Sequence, residues 1–380
     1  MRILQVYKDY FPPVRGGIEG HINLLSNGLR ERGIDVEVLV SNTNGKLKIE
    51  TIDGITVTKV PQITRLASAP LNYSLFYWIK KIGEKFDLLH FHLPNPTAVM
   101  SFLISGLKKS TIATYHSDII RQRYTAMLYR PFLEIFLTKT DRIIATSPNY
   151  IDSSRILPKY RQKCQIVPLG VNIARFKGQY SSPLDISSIR QSHGDRILLF
   201  IGKFRYYKGL HILIEAMKQI NGKLLLIGEG FLEYELRKQV AVDGLEKKVA
   251  FLGELSDQDV NTFLQACDVF VLPSVERSEA FGIVQLEAMA CGKPVVCTEL
   301  GTGTTYVTKH QKNGIVVEPN QPAALAQAIN FLLDNPEIRL RYGQAGFERV
   351  EKYFSVNRMI DDIKDLYAQC VDSQKTNIES

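Results

Sequence analysis

Short apolar runs alternate with stretches of helical periodicity along nearly the whole chain, and this alternation limits the fold more than any other feature. A strand that returns through a helix pairs in parallel with the next, so the pattern predicts α/β layers with mainly parallel sheets. In the first half Ile3–Tyr7, Val36–Ser41, Leu88–His92, Thr111–Thr114, Arg142–Ala145 and Gln165–Pro168 read as strands. Asp53-Gly54 between Lys48–Ile52 and Ile55–Val60 predicts a hairpin. The rhythm lapses over Lys177–Asp195, where Ser181-Ser182-Pro183 and Ser187-Ser188 read as a linker. It restarts at Ile197–Ile201 and continues through Leu224–Ile227, Val249–Leu252, Val269–Leu272, Pro294–Cys297 and Ile315–Val317. The expectation is two Rossmann-like domains, residues 1–175 and 176–355, facing each other across a cleft. A last helix within 356–380 is expected to pack back toward the N-terminal domain.

A length of 380 residues suits two cores better than one. With 45% apolar and 23% charged residues the chain reads as soluble, and no run approaches the roughly 18 apolar residues of a membrane span. The N-terminus enters a strand directly, without a signal-peptide layout. Five cysteines without Cys-x-x-Cys spacing read as reduced thiols of a cytosolic protein. Of the net charge of +8, residues 1–175 supply 24 Lys+Arg against 13 Asp+Glu, while the remainder holds 23 against 26. Either an anionic surface or acceptor meets the first half, or the charge is merely solvated. The dispersal of these cations and the lack of a recognition module argue against nucleic acid.

Several clusters fall at predicted strand ends. Gly16-Gly17, after the first strand, allows close backbone approach to a phosphate or a plain turn. Tyr115-His116-Ser117-Asp118 offers an imidazole at a strand's carboxyl end, either for substrate contact or as a structural histidine. His90-x-His92 puts two imidazoles on one strand face, but no third ligand cluster supports a metal, and none is expected. Lys203, Arg205 and Lys208 either neutralise a diphosphate or form a solvated basic loop, with Gly228-Glu229-Gly230 ending the next strand alike. Phe281-Gly282-Ile283 reads as a turn opening a helix, so Glu279 precedes the helix and Glu287 lies about a turn inside. The free amides of Gly282, Ile283 and Val284 would then face an arriving anion. Asp257-x-Asp259 resembles a metal grip, yet Ser256 as N-cap with two acids in the first turn explains it fully. Gly301-Thr302-Gly303-Thr304-Thr305 either faces a nucleotide or turns the chain.

From Arg2 to about Tyr353, the ordered set of these motifs resembles the retaining glycosyltransferases of family 4, of GT-B architecture. The likeness includes Glu279-x7-Glu287, Gly292-Lys293-Pro294 and Asn313-Gly314, and His116-Ser117-Asp118-Ile119 resembles bacterial mannosyltransferases of surface-polysaccharide assembly. The resemblance implies an acceptor-side N-terminal domain and a C-terminal domain binding a GDP- or UDP-linked sugar without a metal. It implies that Glu287 holds the ribose hydroxyls, Glu279 a sugar hydroxyl, and Lys208 the leaving diphosphate. The family has Arg where Lys203 stands, so Lys203 or Arg205 supplies the second cation. Leu255 falls beside the nucleobase, the amides of Gly16 and Gly17 near the diphosphate, and His116 against the sugar, making His116, Glu279 and Lys208 the catalytic candidates. Glu229 and Phe281 fall within the donor-binding set.

Such a protein is expected to serve a glycan or lipid-linked glycan acceptor in the cytoplasm, with peripheral contact at the inner face of the cell membrane. Tyr73–Ile82 reads as a basic amphipathic helix suited to an anionic leaflet, or as a helix packed on the N-terminal core. Arg121 and Arg123 are candidates for holding a phosphate-bearing acceptor, or a solvated loop. The rival readings are a sugar-nucleotide epimerase and a non-catalytic sugar-nucleotide-binding protein.

Overall fold

The computed structural model describes residues 1–12, 14, 16–66, 69–72, 74–120, 123–177 and 185–379. The chain divides into two compact units, Met1–Leu169 with Val356–Ser380 and Gly170–Ser355. Tyr73, Arg121 and the 178–184 part of the expected linker lie outside the described residues.

The first unit carries β1 (Arg2–Val6), β2 (Asp35–Ser41), β3 (Lys48–Ile52), β4 (Ile55–Val60), β5 (Thr64–Leu66), β6 (Ala69–Leu71), β7 (Leu88–Leu93), β8 (Ser110–Tyr115), β9 (Arg142–Ala145) and β10 (Cys164–Ile166). Eight of these form one sheet in the order β10-β9-β8-β7-β1-β2-β4-β3, parallel except for β3. Antiparallel β3 and β4 meet through Asp53 (φ 49°) and Gly54 (φ 78°), as the Asp-Gly pair requires. On one face Ile3, Leu88 and Ile112 pack with Ile22, Leu25 and Leu29 of the helix Gly17–Glu31. Met359, Ile360, Ile363, Leu366, Tyr367 and Cys370 of the last helix, Val356–Glu379, complete that core.

The second unit carries β11 (Ile197–Ile201), β12 (Lys223–Ile227), β13 (Val249–Gly253), β14 (Val269–Leu272), β15 (Val295–Thr298) and β16 (Gly314–Val317). They form a parallel sheet ordered β13-β12-β11-β14-β15-β16. The order reverses between β11 and β14, where an open α/β sheet leaves a crevice at its carboxyl ends. Both strands are uninterrupted apolar runs because helices cover both faces.

Two expectations change. The linker reading fails at its C-terminal end: Ile186–His193 is a helix, capped by Asp185 Oδ1 accepting from the Ser188 amide at 2.6 Å and anchored by buried Ile189. Ser187-Ser188 resembles loop composition, but Asp185 supplies the missing helix start. The helix read over Tyr73–Ile82 runs Leu75–Gly83: Leu75 and Ile79 are buried against the core, while Phe76, Tyr77, Lys80 and Lys81 are exposed.

Candidate active site

In the second unit, β11 and β14 deliver their loops to the point where the strand order reverses. After β11, Gly202 (φ 150°) and Gly209 (φ 68°) bracket the turn Tyr206–Lys208. A methyl group on Gly209 would lie 2.0 Å from the Pro273 carbonyl oxygen, so only glycine lets this loop meet the one after β14. Lys208 is thereby buried, and its Nζ donates to Glu279 Oε2 at 2.6 Å. Burial pulls the ammonium pKa down, but Glu279 and Tyr207 together more than offset this and the net direction is upward. Ser274, also after β14, donates from Oγ to the same carboxylate oxygen at 3.0 Å.

The loop Gly301–Thr305 backs Glu279. Thr302 Oγ1 donates to the Glu279 carbonyl at 2.8 Å, and the Gly303 amide donates to the Ala280 carbonyl at 2.8 Å. Gly282 (φ 72°) then turns the chain into the helix Val284–Ala290, with Ile283 at its N-cap. The amides of Gly282, Ile283 and Val284 thus precede the first intrahelical bonds. Phe281 is buried edge-on against Phe354, so a ligand would meet its backbone rather than its ring. Glu287 occupies the first helical turn; burial pushes its carboxyl up to about 7, opposed by Arg175 and assisted by Asp257.

The other donor-side candidates divide. Lys203 and Arg205 are both exposed, and Arg205 lies over the Phe231 ring at 5.9 Å. Glu229 is exposed, with its carbonyl accepting from the Phe204 amide at 2.8 Å. Leu255 is half-buried just beyond β13. Ser256 caps the helix Asp257–Ala266 by accepting from the Asp259 amide at 3.2 Å, consistent with a capping role for this Asp-x-Asp.

In the first unit, Gly16 is the N-cap of the helix Gly17–Glu31, and Glu19 folds back so that a methyl on Gly16 would meet its Oε2 at 2.2 Å. A carboxylate of the chain itself therefore stands at this helix start, where the sequence pointed to a phosphate. Arg123 opens the helix Arg123–Lys139. His116 follows β8 and is buried among three other histidines. His90 and His92 do share a strand face, with rings 4.4 Å apart, but the metal argument needs correcting. His21 and His116 bring the third and fourth imidazoles that the spacing did not reveal, and ring nitrogens of His21, His92 and His116 lie within 4.8 Å of one another. His92 nevertheless has both nitrogens engaged, Nδ1 with His116 Nε2 at 3.0 Å and Nε2 with Gln5 Oε1 at 2.7 Å. Burial first, and mutual repulsion second, hold His92 and His116 well below the usual histidine range. The cluster is neutral at physiological pH.

Sequence reasoning missed Ser274, Glu19, His21, Gln5 and Tyr367. Ser274 could have been found from its place after β14. The others depend on which helix covers which strand.

Comparison with known proteins gives the family and the fold. The family described as "Glycosyl transferases group 1" matches residues 183–349, and "Glycosyltransferase Family 4" matches residues 15–175. The chain is similar to O-antigen chain mannosyltransferase C of Escherichia coli, 37% identical over 98% of this chain and 100% of that protein. It is 37% identical to the D-rhamnosyltransferase WbpZ of Pseudomonas aeruginosa over 93% of this chain and 92% of the relative. Its fold matches a sucrose-phosphate synthase structure from Thermosynechococcus elongatus with a TM-score of 0.80 at 22% identity, covering 98% and 99% of the two chains. Two parallel-sheet α/β units, the matches to both family descriptions and full-length relatives lead to one assignment: the chain belongs to the group 1, family 4 glycosyltransferases and is a hexosyltransferase of the GT-B fold that uses a nucleotide-sugar donor and a glycan acceptor.

Proposed function

We propose that this protein is a metal-independent, retaining transferase that moves a manno-configured sugar from a nucleoside diphosphate to a growing surface glycan. The observation that carries the reading is the buried Lys208–Glu279 pair at the strand-order reversal of the second unit. The named relatives act with mannose and D-rhamnose, and D-rhamnose is 6-deoxymannose, which supports a shared configuration at the sugar. GDP is the favoured nucleotide, with UDP the alternative.

Cleaving a glycosyl–phosphate bond builds negative charge on the departing diphosphate. A fixed cation aimed there acts where charge develops, and loss of one such group typically lowers the rate about 100- to 1,000-fold. Lys208 supplies this cation, with Lys203 or Arg205 as its partner and the amides of Gly282–Val284 as further donors. Glu279 holds Lys208 in place and accepts from a sugar hydroxyl, while Glu287 accepts from the ribose. His116 serves the transfer step as a neutral hydrogen-bonding group.

The acceptor is a glycan or lipid-linked glycan at the cytoplasmic face of the membrane. Supporting this are Phe76 and Tyr77 beside Lys80 and Lys81, together with Ile104 at 69% and Met127 and Leu128 at 75% exposure on neighbouring helices of the first unit. Among the described residues no helix is long and apolar enough to cross a membrane, so contact would be peripheral.

Calorimetric titration with GDP, UDP, ADP and dTDP in EDTA tests the donor site. Micromolar binding of one nucleotide, lost in Glu287→Ala, is expected. Silence from all four in folded protein would sink the reading. Vesicles rich in phosphatidylglycerol should sediment the wild type but release a Phe76→Ser/Tyr77→Ser variant, and equal sedimentation would remove the membrane part.

A further inference from the structure

Beyond the donor site, six buried polar residues of the first unit form one continuous chain of hydrogen bonds. His116 Nε2 meets His92 Nδ1 at 3.0 Å, and His92 Nε2 meets Gln5 Oε1 at 2.7 Å. Gln5 Nε2 donates to Tyr367 Oη at 3.0 Å. Tyr367 Oη lies 2.6 Å from His90 Nδ1, and His90 Nε2 lies 2.7 Å from Thr114 Oγ1. All six residues are buried. Gln5, His90 and Thr114 stand on adjacent strands β1, β7 and β8, while Tyr367 comes from the last helix.

The chain has a direction. A neutral imidazole holds one N–H and one lone pair, so a bond at one nitrogen fixes the role of the other. With the Gln5 oxygen toward His92, His92 must donate from Nε2 and accept at Nδ1. His116 must then carry its proton on Nε2, leaving Nδ1 as an acceptor. On the other side, Gln5 donates to Tyr367, whose hydroxyl proton is left for His90 Nδ1, and His90 donates onward to Thr114. Turning the Gln5 amide over would reverse every link and move the His116 proton to Nδ1. The two settings are discrete, and a partly reversed chain would leave two donors or two lone pairs facing each other in a buried site.

We infer that Gln5, His92 and Tyr367 are positioning residues that fix the tautomer of His116 and so keep its Nδ1 an acceptor for a substrate hydroxyl. This rests on the role given to His116 above. His21 stands outside the chain: its ring lies edge-on to His116 at 5.3 Å, and its buried Nε2 has no hydrogen-bond partner among the described residues. Tyr367 is 277 residues from His90 and 362 from Gln5 in sequence, so only the docking of the last helix joins the two halves of the chain.

The test is nitrogen NMR of the full-length protein with labelled histidine, in EDTA, where protonated and bare ring nitrogens resonate far apart. Wild type should show one neutral tautomer of His116, protonated at Nε2. Tyr367→Phe should give a mixture, with kcat for GDP-mannose and octyl mannoside lowered about tenfold and KM for GDP-mannose unchanged. Gln5→Met, which severs the chain at a different link, should reproduce both effects. A single unchanged tautomer and unchanged kcat in folded Tyr367→Phe and Gln5→Met would overturn the inference and leave a packing role. Wild-type resonances that differ between EDTA and added zinc would replace the chain by a metal bridge among His21, His92 and His116, and would also overturn it. His116→Ala separates the two levels. If it binds GDP but does not transfer, the role of His116 stands even when the tautomer result fails; if it transfers normally, both fall.

Discussion

Glu287 should make donor binding depend on pH in a way that its replacement abolishes. Burial raises its carboxyl from the ordinary 4.5 to about 7, so in the free protein near pH 6 it is mostly protonated. A carboxylate accepting from two ribose hydroxyls must be ionised, and bound donor pulls its pKa down. If only the ionised form binds, affinity should be about tenfold weaker at pH 6 than at pH 8, or about 1.4 kcal/mol. GDP-mannose suits the assay because, unlike free GDP, it has no terminal phosphate that titrates in this range. Calorimetry from pH 6 to 8 should show the slope in wild type. Glu287→Gln should show none and should bind more weakly by about 1.5–3 kcal/mol. Stability should move oppositely. The folded state binds the extra proton, so the carboxyl costs nothing below about pH 4.5 and becomes destabilising as pH rises through about 7. Glu287→Gln should therefore be the more stable protein at pH 8, by on the order of 3 kcal/mol. A wild-type Kd that is flat from pH 6 to 8, or a slope that persists in Glu287→Gln, would refute the reasoning.

Two further outcomes follow from the loops around Lys208. Lys208→Met or Glu279→Gln alone strands one buried polar partner and should cost about 3–5 kcal/mol in urea unfolding, whereas the double variant should recover part of that loss; strictly additive losses would mean that the pair is not coupled. Gly209→Ala should destabilise by well over about 1 kcal/mol, since φ is 68° and the methyl meets the Pro273 carbonyl at 2.0 Å. Gly244→Ala, at φ 66° with nothing nearby, isolates the backbone strain and should cost less; equal losses would discount the clash.

The sheets were legible because buried parallel strands must be apolar along their whole length, as Ile197–Ile201 and Val269–Leu272 are. The hairpin was legible because Asp53 and Gly54 tolerate positive φ. Lys208 and Glu279 stood out as charged residues in glycine-bearing loops and Glu287 as an acid one turn into a helix, and the structure brings Glu279 and Lys208 together. The helix capped by Asp185 was hidden among serines that also suit loops. Gln5, His90 and His92 sit in strands, and their meaning depends on what covers them. No local pattern connects them to Tyr367, so two histidines on one strand face read as half a metal site. Glu19 was hidden for a similar reason, since its return over Gly16 depends on side-chain placement rather than spacing.

The chain leaves the first unit at Leu169 and re-enters it at Val356, which has a consequence for biosynthesis. A ribosome finishes the strands of that unit long before it makes the helix that closes their core. The interval is about 200 residues, or roughly 10–40 s at ordinary elongation rates. The second unit, contiguous in sequence, can reach its native state during that wait. Until Met359, Ile363 and Tyr367 emerge, the first sheet keeps an apolar face open and its histidines lack the phenol that joins them. Chains released early would carry a finished second unit and an unfinished first unit, because closing the first core waits on the last helix.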